Sequence, residues 1–300
     1  MSNAVGTVIV NYRRHVDVET ADGSVLPCVV RGRQLKPVSG DRVEYSLTQQ
    51  DEGVIENILE RETVLERFDS SRKRSALAAN VDRVLVVVAL EPMLESFTVD
   101  KYLVAVEASG AEPVIVINKV DLADEMVMDW LQEFTEEYRD IGYPSILLST
   151  ESGEGMKALE DALQNHTAVL VGPSGVGKSS IAQHLLPDND IKVGEISAAR
   201  QEGRHTTTRS TLYHLANGGR LIDSPGVREY RLWPMPVREL AGLFPEMRER
   251  ANNCKFADCV HRAEPGCAVR AAVDAEEILL RRYEAYLGMA EIMDRQYKEY

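Results

Sequence analysis

The segment from Gly172 to Ser179 constrains the fold of this 300-residue chain more than any other. It reads Gly-Pro-Ser-Gly-Val-Gly-Lys-Ser and matches the pattern G-x-x-x-x-G-K-[ST] of phosphate-binding loops. A short apolar run, Ala168–Val171, precedes it, and a helical pattern over Ser179–Leu186 follows it. A strand that leads through such a loop into a helix predicts a P-loop in a domain of alternating strands and helices.

The residue types of this loop have specific roles in phosphate chemistry. Glycines allow backbone N–H groups to turn inward around a β-phosphate, and the following helix N-terminus favours an anion. Lys178 is expected to reach the β- and γ-phosphates as a catalytic cation, and the Ser179 hydroxyl to ligate Mg²⁺. The loop residues predicted to contact a nucleotide are Gly172, Pro173, Ser174, Gly175, Val176, Gly177, Lys178, Ser179 and Ser180.

A second phosphate motif, Asp223-Ser-Pro-Gly226, follows the apolar pair Leu221–Ile222. An aspartate at the end of a second strand can supply another Mg²⁺ contact, directly or through water. Gly226 is expected to present its backbone N–H to the γ-phosphate. This pattern alone is usually a turn, but a phosphate loop upstream makes it specific.

A base-recognition motif, Asn118-Lys119-Val120-Asp121, follows the apolar run Pro113–Ile117. A carboxylate at Asp121 can accept hydrogen bonds from the N1–H and 2-amino groups of guanine. Adenine offers neither donor and would leave the carboxylate unpaired, so the motif predicts GTP rather than ATP. Asn118 and the stem of Lys119 are expected to shape and cover the base, and Ser149-Thr150 to supply a backbone N–H to the guanine oxygen.

Four segments follow from the pattern of apolar residues along the chain. Residues 1–65 contain short β-type runs separated by turn residues, which predict a small all-β barrel. Residues 66–80 are polar and partly basic, and we expect a solvated linker there. Residues 81–235 alternate fully apolar runs with helical patterns, which predicts a doubly wound α/β domain. Residues 236–300 are predicted to form a smaller, mostly helical tail.

Individual elements can be placed within these segments. In the tail, a short helix is expected over Val237–Leu243 and a long one from about Ala275 to Tyr297, with Asp274 and Glu277 as a capping box. The predicted barrel strands are Thr7–Val10, Val16–Glu19, Val25–Arg31, Arg42–Leu47 and Val54–Leu59. The further strands are Val84–Leu90, Pro113–Ile117, Ser145–Leu148 and Ala168–Val171, and the further helices Asp100–Ala108, Glu125–Tyr138, Met156–His166 and Ser179–Leu186.

Three of the four cysteines cluster in the tail. Cys254, Cys259 and Cys267 surround His261, whereas Cys28 stands alone in an apolar run. Three thiolates and one imidazole suit one four-coordinate structural Zn²⁺ per chain with no open position for catalysis. Such a distribution favours a metal site in a reducing compartment over a disulfide framework.

The charge balance is acidic, with 34 basic and 48 acidic side chains and a net charge of −14. Residues 81–235 hold 13 of the basic and 24 of the acidic groups, a net of −11. Bulk charge therefore argues against nucleic-acid binding, but the nearly neutral ends could present a local basic face. The candidates for phosphate contacts there are Arg13, Arg14, Arg31, Arg33, Lys36, Arg42, Arg72, Lys73 and Arg74.

No part of the sequence predicts a membrane segment. No apolar run approaches the roughly 20 residues of a membrane-spanning helix. The apolar run at the start has no basic region ahead of it, so we interpret it as a strand rather than a signal peptide.

The order of the motifs is unusual. In most guanine-nucleotide switches the phosphate loop comes first, whereas here Asn118 precedes Gly172. A circular permutation explains this order, and compact domains tolerate one when their natural termini lie close together. The segments expected to sense the γ-phosphate, 203–209 and 223–230, then end the domain just before the cysteine-bearing tail. We infer that the nucleotide state is transmitted to that tail.

Together these motifs resemble the ribosome small-subunit-dependent GTPase A family of circularly permuted bacterial GTPases. The resemblance covers almost the whole chain. It implies an N-terminal OB-fold barrel, the permuted P-loop GTPase domain and a C-terminal zinc-binding domain. It also implies a cytoplasmic monomer that binds the small ribosomal subunit and its rRNA, with hydrolysis of GTP to GDP stimulated by the subunit and coupled to release. The matching residues are Asn118 to Asp121, Gly172 to Ser179, Gly203 to Thr208, Asp223 to Gly226, and Cys254, Cys259, His261 and Cys267.

The residues of the hydrolytic step differ from those of Ras-like switches. Ras-like switches place a water-orienting glutamine directly after D-x-x-G, but this chain has Val227 there. Intrinsic hydrolysis is therefore expected to be slow unless another residue takes over, and His205 is the candidate. Thr206 or Thr207 is expected to ligate Mg²⁺ with Ser179 and Asp223. Two alternatives stay open: a different P-loop NTPase, and a nucleotide-dependent RNA-binding scaffold with little catalysis.

Overall fold

The structure is a computed structural model that describes residues 4–12, 15–32, 34–48, 52–68, 74–186, 210–224, 227, 230 and 232–298. The strands are β1 (Ala4–Tyr12), β2 (His15–Glu19), β3 (Val25–Val30), β4 (Arg42–Leu47), β5 (Gly53–Ile58), β6 (Val64–Phe68), β7 (Arg74–Ala79), β8 (Arg83–Ala89), β9 (Glu112–Asn118), β10 (Ser145–Leu147), β11 (Thr167–Val171), β12 (Thr211–His214) and β13 (Arg220–Asp223). The helices are α1 (Ser96–Glu107), α2 (Glu125–Ile141), α3 (Met156–Leu163), α4 (Lys178–Leu185), α5 (Val237–Leu240), α6 (Pro245–Ala251), α7 (Ala268–Asp274) and α8 (Leu280–Lys298), with 3₁₀ turns at Val120–Leu122 and Ala241–Leu243.

The first five strands close into a barrel. Their order is β1-β2-β3-β5-β4, and β4 pairs back with β1. Alternate residues point inward, as the period of two in a strand requires, and Val8, Val18, Val43 and Ile55 are fully buried. Cys28 lies among them, and its burial raises the pKa of the thiol to about 11. The predicted all-β N-terminal barrel is therefore confirmed, and Cys28 is a core residue.

The prediction of a solvated linker over residues 66–80 was wrong. Strands β6 and β7 pair antiparallel, and Leu65, Ala78 and Ala79 are fully buried. Gly40 of the barrel approaches this hairpin so closely that a Cβ atom would lie 2.0 Å from the Ala79 carbonyl oxygen. The hairpin could not be recognised from the sequence, because the few apolar residues of β6 and β7 lie at the two ends of a polar stretch. These residues are buried by contact with other segments of the chain.

The central sheet is the predicted α/β domain. Strands β10, β9, β8, β11 and β13 run parallel in that order, and β12 adds an antiparallel edge. One residue pair, Val10 with Thr211, continues the sheet into the barrel. Leu85, Val86 and Val87 of β8 are fully buried, as expected for a strand covered on both faces. The carboxyl ends of the parallel strands meet at one edge of the sheet.

The helical tail departs from the sequence-based prediction at one point. Asp274 is the last residue of α7 rather than the cap of a long helix, so the predicted capping box was wrong. The chain turns at Glu276, which has a φ of 60°, and the Glu277 N–H donates to the Ala272 carbonyl oxygen at 2.9 Å. The predicted apolar residues Ile278, Tyr286, Met289 and Met293 are all buried, as expected.

A buried arginine forms ion pairs that link the tail to the α/β domain. Arg282 of α8 has no solvent exposure and donates to Asp100 of α1 at 2.7 Å and to Glu246 of α6 at 2.7 Å. Its guanidinium also lies over the Phe244 ring, 4.7 Å from the centroid. Burial raises the pKa of the Asp100 carboxyl although Arg282 opposes that shift. The ion pair therefore joins elements that are distant in the sequence where no water can replace a lost partner.

Replacing Arg282 by methionine is expected to lower the free energy of unfolding by about 3–5 kcal/mol, because the buried Asp100 carboxylate and the largely buried Glu246 carboxylate would lose their cation. Arg295→Met is the matched control, since it breaks an exposed pair with Glu291 that contributes about 0–1 kcal/mol. Urea unfolding of the full chain measures both. Equal midpoints for the two variants would show that the buried pair adds no stability.

Among the described residues, no helix combines the length and the apolar character that crossing a membrane demands.

Candidate nucleotide site and metal centre

The phosphate loop links β11 to α4 as the sequence predicted. Gly172 has a φ of 138°, and a Cβ atom there would lie 2.0 Å from the Val87 carbonyl oxygen of β8. Gly177 has a φ of 97°, and a Cβ atom there would lie 2.2 Å from Asn118 Nδ2. Both positions require glycine, because the backbone conformation and the lack of space each exclude a side chain.

Lys178 and Ser179 stand at the start of α4, next to Asp223. The Lys178 ammonium donates to the carbonyl oxygens of Gly172 at 2.7 Å and Pro173 at 2.5 Å, so it folds back over the loop. Lys178, Ser179 and Asp223 line one small cleft at the carboxyl edge of the sheet. A cation, a hydroxyl and a carboxylate in one cleft are the groups that Mg²⁺ and a triphosphate require.

The Asn118 side chain joins the base motif to the phosphate loop. It is fully buried at the end of β9, and its Nδ2 donates to the Val176 carbonyl oxygen at 2.9 Å. Its Oδ1 accepts a hydrogen bond from the Thr150 N–H at 3.3 Å. One amide therefore holds three segments that are far apart in the sequence at a single point.

The rest of the base motif lies beside this amide. Asp121 is exposed in the turn Val120–Leu122, and its carboxylate accepts a hydrogen bond from the Ser149 hydroxyl at 2.5 Å. The Ser149 oxygen also accepts from the Ser152 N–H at 3.0 Å, which fixes the loop after β10. Ser149 was predicted only as part of a backbone contact, so its side-chain role in orienting Asp121 is an addition from the structure.

Sequence reasoning also missed the loop after β8. Lys119 adopts a φ of 65° and donates through Nζ to the Glu91 carbonyl oxygen at 2.6 Å. The neighbouring Pro92 lies 3.7 Å from where a Cβ atom of Gly175 would be. Residue 91 therefore contacts the base motif, and residue 92 lies beside the phosphate loop. The sequence feature that could have identified these two residues is their position directly after a parallel strand, because loops at that end of a strand carry ligand contacts.

His205, Thr206, Thr207 and Gly226 lie outside the described residues, so their roles stay predictions. Val227 is described and is 1% exposed, with an apolar side chain that cannot orient water.

The four predicted zinc ligands come together. The ligand atoms of Cys254, Cys259, His261 and Cys267 all lie within 4.8 Å of one another. The Cys254 and Cys267 sulfurs are 4.0 Å apart, and His261 Nδ1 lies 3.4 Å from the Cys267 sulfur. Two zinc–sulfur bonds of about 2.3 Å that meet at a tetrahedral angle place their sulfurs about 3.8 Å apart. The cluster therefore fits one tetrahedral Zn²⁺.

The surroundings of the cluster also suit a cation. Backbone N–H groups of Ala268 and Arg270 point at the sulfurs of Cys254 and Cys267, at 3.3 and 3.5 Å. Burial raises the pKa of the Cys259 thiol to about 12, so a thiolate there needs a nearby positive charge such as Zn²⁺.

The loop that carries the ligands is tied to the body of the tail. Burial alone would raise the pKa of Glu264, but hydrogen bonds from the N–H groups of Val260, Arg262 and Ala263 hold the pKa of that carboxyl at about 2. The Tyr286 hydroxyl of α8 donates to the Val260 carbonyl oxygen at 2.7 Å. The metal centre and α8 therefore form one unit.

Comparison with known proteins identifies the family. The sequence profile of the RsgA GTPase family matches residues 58–233. The chain belongs to the RsgA GTPase family. Small ribosomal subunit biogenesis GTPase RsgA of Photorhabdus laumondii subsp. laumondii is 41% identical over 298 residues, covering 97% of this chain and 85% of that relative. The relative of the same name in Hahella chejuensis is 40% identical over 295 residues, with the same coverage.

Two solved structures of related proteins share the architecture of this chain. YjeQ from Thermotoga maritima superposes with a TM-score of 0.79 at 33% identity, covering 97% of this chain and 99% of that one. YloQ, described as a circularly permuted GTPase, gives a TM-score of 0.79 at 29% identity, covering 98% of this chain and 96% of that one. The predicted family, the barrel and the permuted GTPase fold are thereby confirmed.

Gly177→Ala is expected to weaken GDP binding about tenfold more than Gly175→Ala does, because the added methyl group displaces the Asn118 amide and its two hydrogen bonds. Both glycines have positive φ values, 97° and 85°, so the backbone strain is matched and only the collision with Asn118 differs. Calorimetric titration with GDP measures both variants. Equal losses would show that the Asn118 bridge does not support the site.

We expect the wild-type chain to copurify with about one zinc per chain and Cys259→Ser to lose it, since the substitution removes one of four ligands of a structural site. Cys28→Ala is the control, because that thiol lies in the barrel core and should leave the zinc content unchanged. Elemental analysis of the purified proteins gives the metal content per chain. Zinc retained by the Cys259 variant would contradict the ligand assignment.

Proposed function

We propose that this protein is a GTPase that binds the small ribosomal subunit and acts late in its maturation, with hydrolysis stimulated by the subunit and coupled to release. The family and the names of the relatives support the reaction and the partner. The observation that carries the proposal is the hydrogen bond from Asn118 to the Val176 carbonyl oxygen. It joins a guanine-type base motif to a phosphate loop, and a single nucleotide can therefore contact both.

The base motif favours guanine for a chemical reason. The Asp121 carboxylate is exposed and has one oxygen held by the Ser149 hydroxyl. Guanine can donate its N1–H and 2-amino hydrogens to this carboxylate, whereas adenine can donate neither. The hydrogen bond from Lys119 to the Glu91 carbonyl oxygen supports a role for the Lys119 stem in covering the base.

The phosphate side supplies charge and position. A bound triphosphate offers oxygen acceptors that the Lys178 ammonium would take in place of the Gly172 and Pro173 carbonyl oxygens. Ser179 and Asp223, with Thr206 or Thr207, would hold Mg²⁺, which neutralises the negative charge that builds up on the β- and γ-phosphate oxygens. Most of the catalysis is then positioning and electrostatic stabilisation.

Val227 occupies the position of the water-orienting glutamine of Ras-like switches, and its apolar side chain cannot orient the attacking water. We propose that His205 takes this role and that binding of the small subunit completes the hydrolytic site. This arrangement keeps hydrolysis slow until the subunit is bound. The zinc centre is structural and offers no open position for chemistry.

Contact with rRNA is proposed for the barrel. Arg31, Lys36 and Arg42 are exposed on it, although Arg31 is paired with Glu56. Binding through phosphate contacts would weaken steeply with added salt. We place the protein in the cytoplasm as a monomer, in keeping with its partner.

Turnover of GTP measured with small subunits, with large subunits and with neither tests the proposal. We expect marked stimulation by small subunits alone, and loss of that stimulation in His205→Ala. A protein that binds GTP but shows no stimulated turnover would be a scaffold. A protein that binds ATP as tightly as GTP would be a different P-loop NTPase.

Asp121→Asn is expected to lower GTP affinity at least about 100-fold and to raise the affinity for xanthosine triphosphate, whose 2-oxo group can accept from the new amide. Asp124→Asn is a matched control, since Asp124 caps α2 through the Val127 N–H and asparagine caps equally well. Competition binding with GTP and xanthosine triphosphate gives the ratio of the two affinities for each variant. An unchanged ratio in Asp121→Asn would remove this residue from base recognition.

A further inference from the structure

A groove beside α2 is not used by the nucleotide site or by the metal centre. Its volume is about 540 Å³, and it lies between the start of α1, the outer face of α2 and the start of α8. We call it the Trp130 groove. Its lining includes three aromatic rings, three carboxylates and one cation: Phe97, Trp130, Phe134, Glu95, Glu133, Glu137 and Arg281.

The aromatic wall of the groove is unusually exposed. Helix α2 buries Leu131, Phe134 and Tyr138, but its outer face leaves Trp130 44% exposed and Met126 78% exposed. The Trp130 ring packs on one side against Phe134, with ring centroids 5.3 Å apart. Exposed tryptophans on a folded surface are characteristic of interaction hot spots. The exposed face of Trp130 is therefore a candidate contact for another molecule.

The charges of the groove select the kind of partner. Arg281 is compensated by Glu137, with their side chains 2.5 Å apart. In the part of the chain that the structure describes, no cation pairs with Glu95 or Glu133. Helix α2 contains six acidic residues and one arginine, a net charge of −5. Such a surface repels the phosphates of RNA and attracts lysine and arginine.

Neighbouring rings show how a cation is accommodated here. The Lys101 ammonium lies 5.0 Å from the centroid of Phe97, and the Arg281 guanidinium lies 5.5 Å from that of Phe134. These are the distances of cation–π contacts. Within the described residues, no cation covers Trp130, although tryptophan is the strongest aromatic partner for one.

We propose that the Trp130 groove docks a basic segment of another protein, which places an arginine or lysine side chain on the open face of Trp130 beside the Glu95 and Glu133 carboxylates. This contact is separate from GTP hydrolysis and from any rRNA contact of the barrel. It gives the α/β domain a protein partner on a surface that nucleic acid would avoid.

The test uses the full chain with Trp233→Phe, which leaves Trp130 as its only tryptophan. The probe is a short capped peptide of alternating alanine and arginine, and the readout is Trp130 fluorescence. We expect a saturable change that weakens with salt, and none with the same peptide carrying glutamate instead of arginine. Absence of a saturable change with the basic peptide would overturn the proposal.

Two double variants separate docking from general attraction to an acidic chain. Glu95→Gln with Glu133→Gln should weaken peptide binding about tenfold. Glu249→Gln with Glu284→Gln makes the same change in net charge at exposed positions outside the groove and should leave affinity unchanged. Equal affinities in the two double variants would overturn the proposal. So would a single-stranded RNA oligomer that displaces the peptide from Trp130, because the groove would then bind nucleic acid.

A further readout excludes misfolding as the cause. GDP affinity, measured by calorimetry, should be the same in both double variants and in the parent chain. Trp130→Ala should weaken the peptide about fivefold by calorimetry, and Trp130→Phe should restore most of that loss, since a phenyl ring still offers a face to a cation. Loss of binding in Trp130→Phe equal to that in Trp130→Ala would show that ring–cation contact is not the interaction.

Discussion

The buried amide of Asn118 is the contact on which the nucleotide site depends. It donates to the carbonyl oxygen of Val176 in the phosphate loop and accepts from the N–H of Thr150 after β10. An unpaired amide at full burial would cost about 1–3 kcal/mol, so the fold is more stable when all three segments come together. The same contact explains why the motif order can be permuted. The site requires only that parallel strands end at one edge of the sheet, and that condition does not depend on which strand comes first in the sequence.

The permutation also places the tail with the Cys/His cluster directly after the GTPase domain. The chain leaves β13 and enters the tail, whose helix α8 returns Arg282 to Asp100 of α1. Helix α1 in turn begins a few residues after Glu91, whose carbonyl oxygen holds Lys119 of the base motif. The tail is therefore connected to the nucleotide site through α1 as well as through the end of β13. Breaking this buried ion pair is costly, because the separated charges would stay largely out of water.

Different parts of the site were predictable to different degrees. Asn118, Asp121, Lys178 and Asp223 were recognisable because each chemistry demands a residue type at a fixed spacing beside a strand or a helix. The Glu91 carbonyl oxygen was not, since any residue carries a backbone carbonyl and only the path of the chain brings this one to Lys119. The hairpin of β6 and β7 was missed for a related reason: Leu65 and Ala78 show no local pattern, and distant segments bury them. The prediction of a helix cap at Asp274 was wrong because Asp274 ends the preceding helix, and a turn with positive φ at Glu276 separates it from α8.

The sequence by itself determined the family, the phosphate and base motifs, the Cys/His cluster and the class of each domain, because these rest on local spacing and on residue chemistry. Only the tertiary structure decided that Asn118 joins three segments, that Arg282 lies buried between Asp100 and Glu246, and that Trp130 stands exposed in an acidic groove. These features depend on which distant surfaces meet. Burial and desolvation set their energies, and neither can be read from a residue's neighbours along the chain.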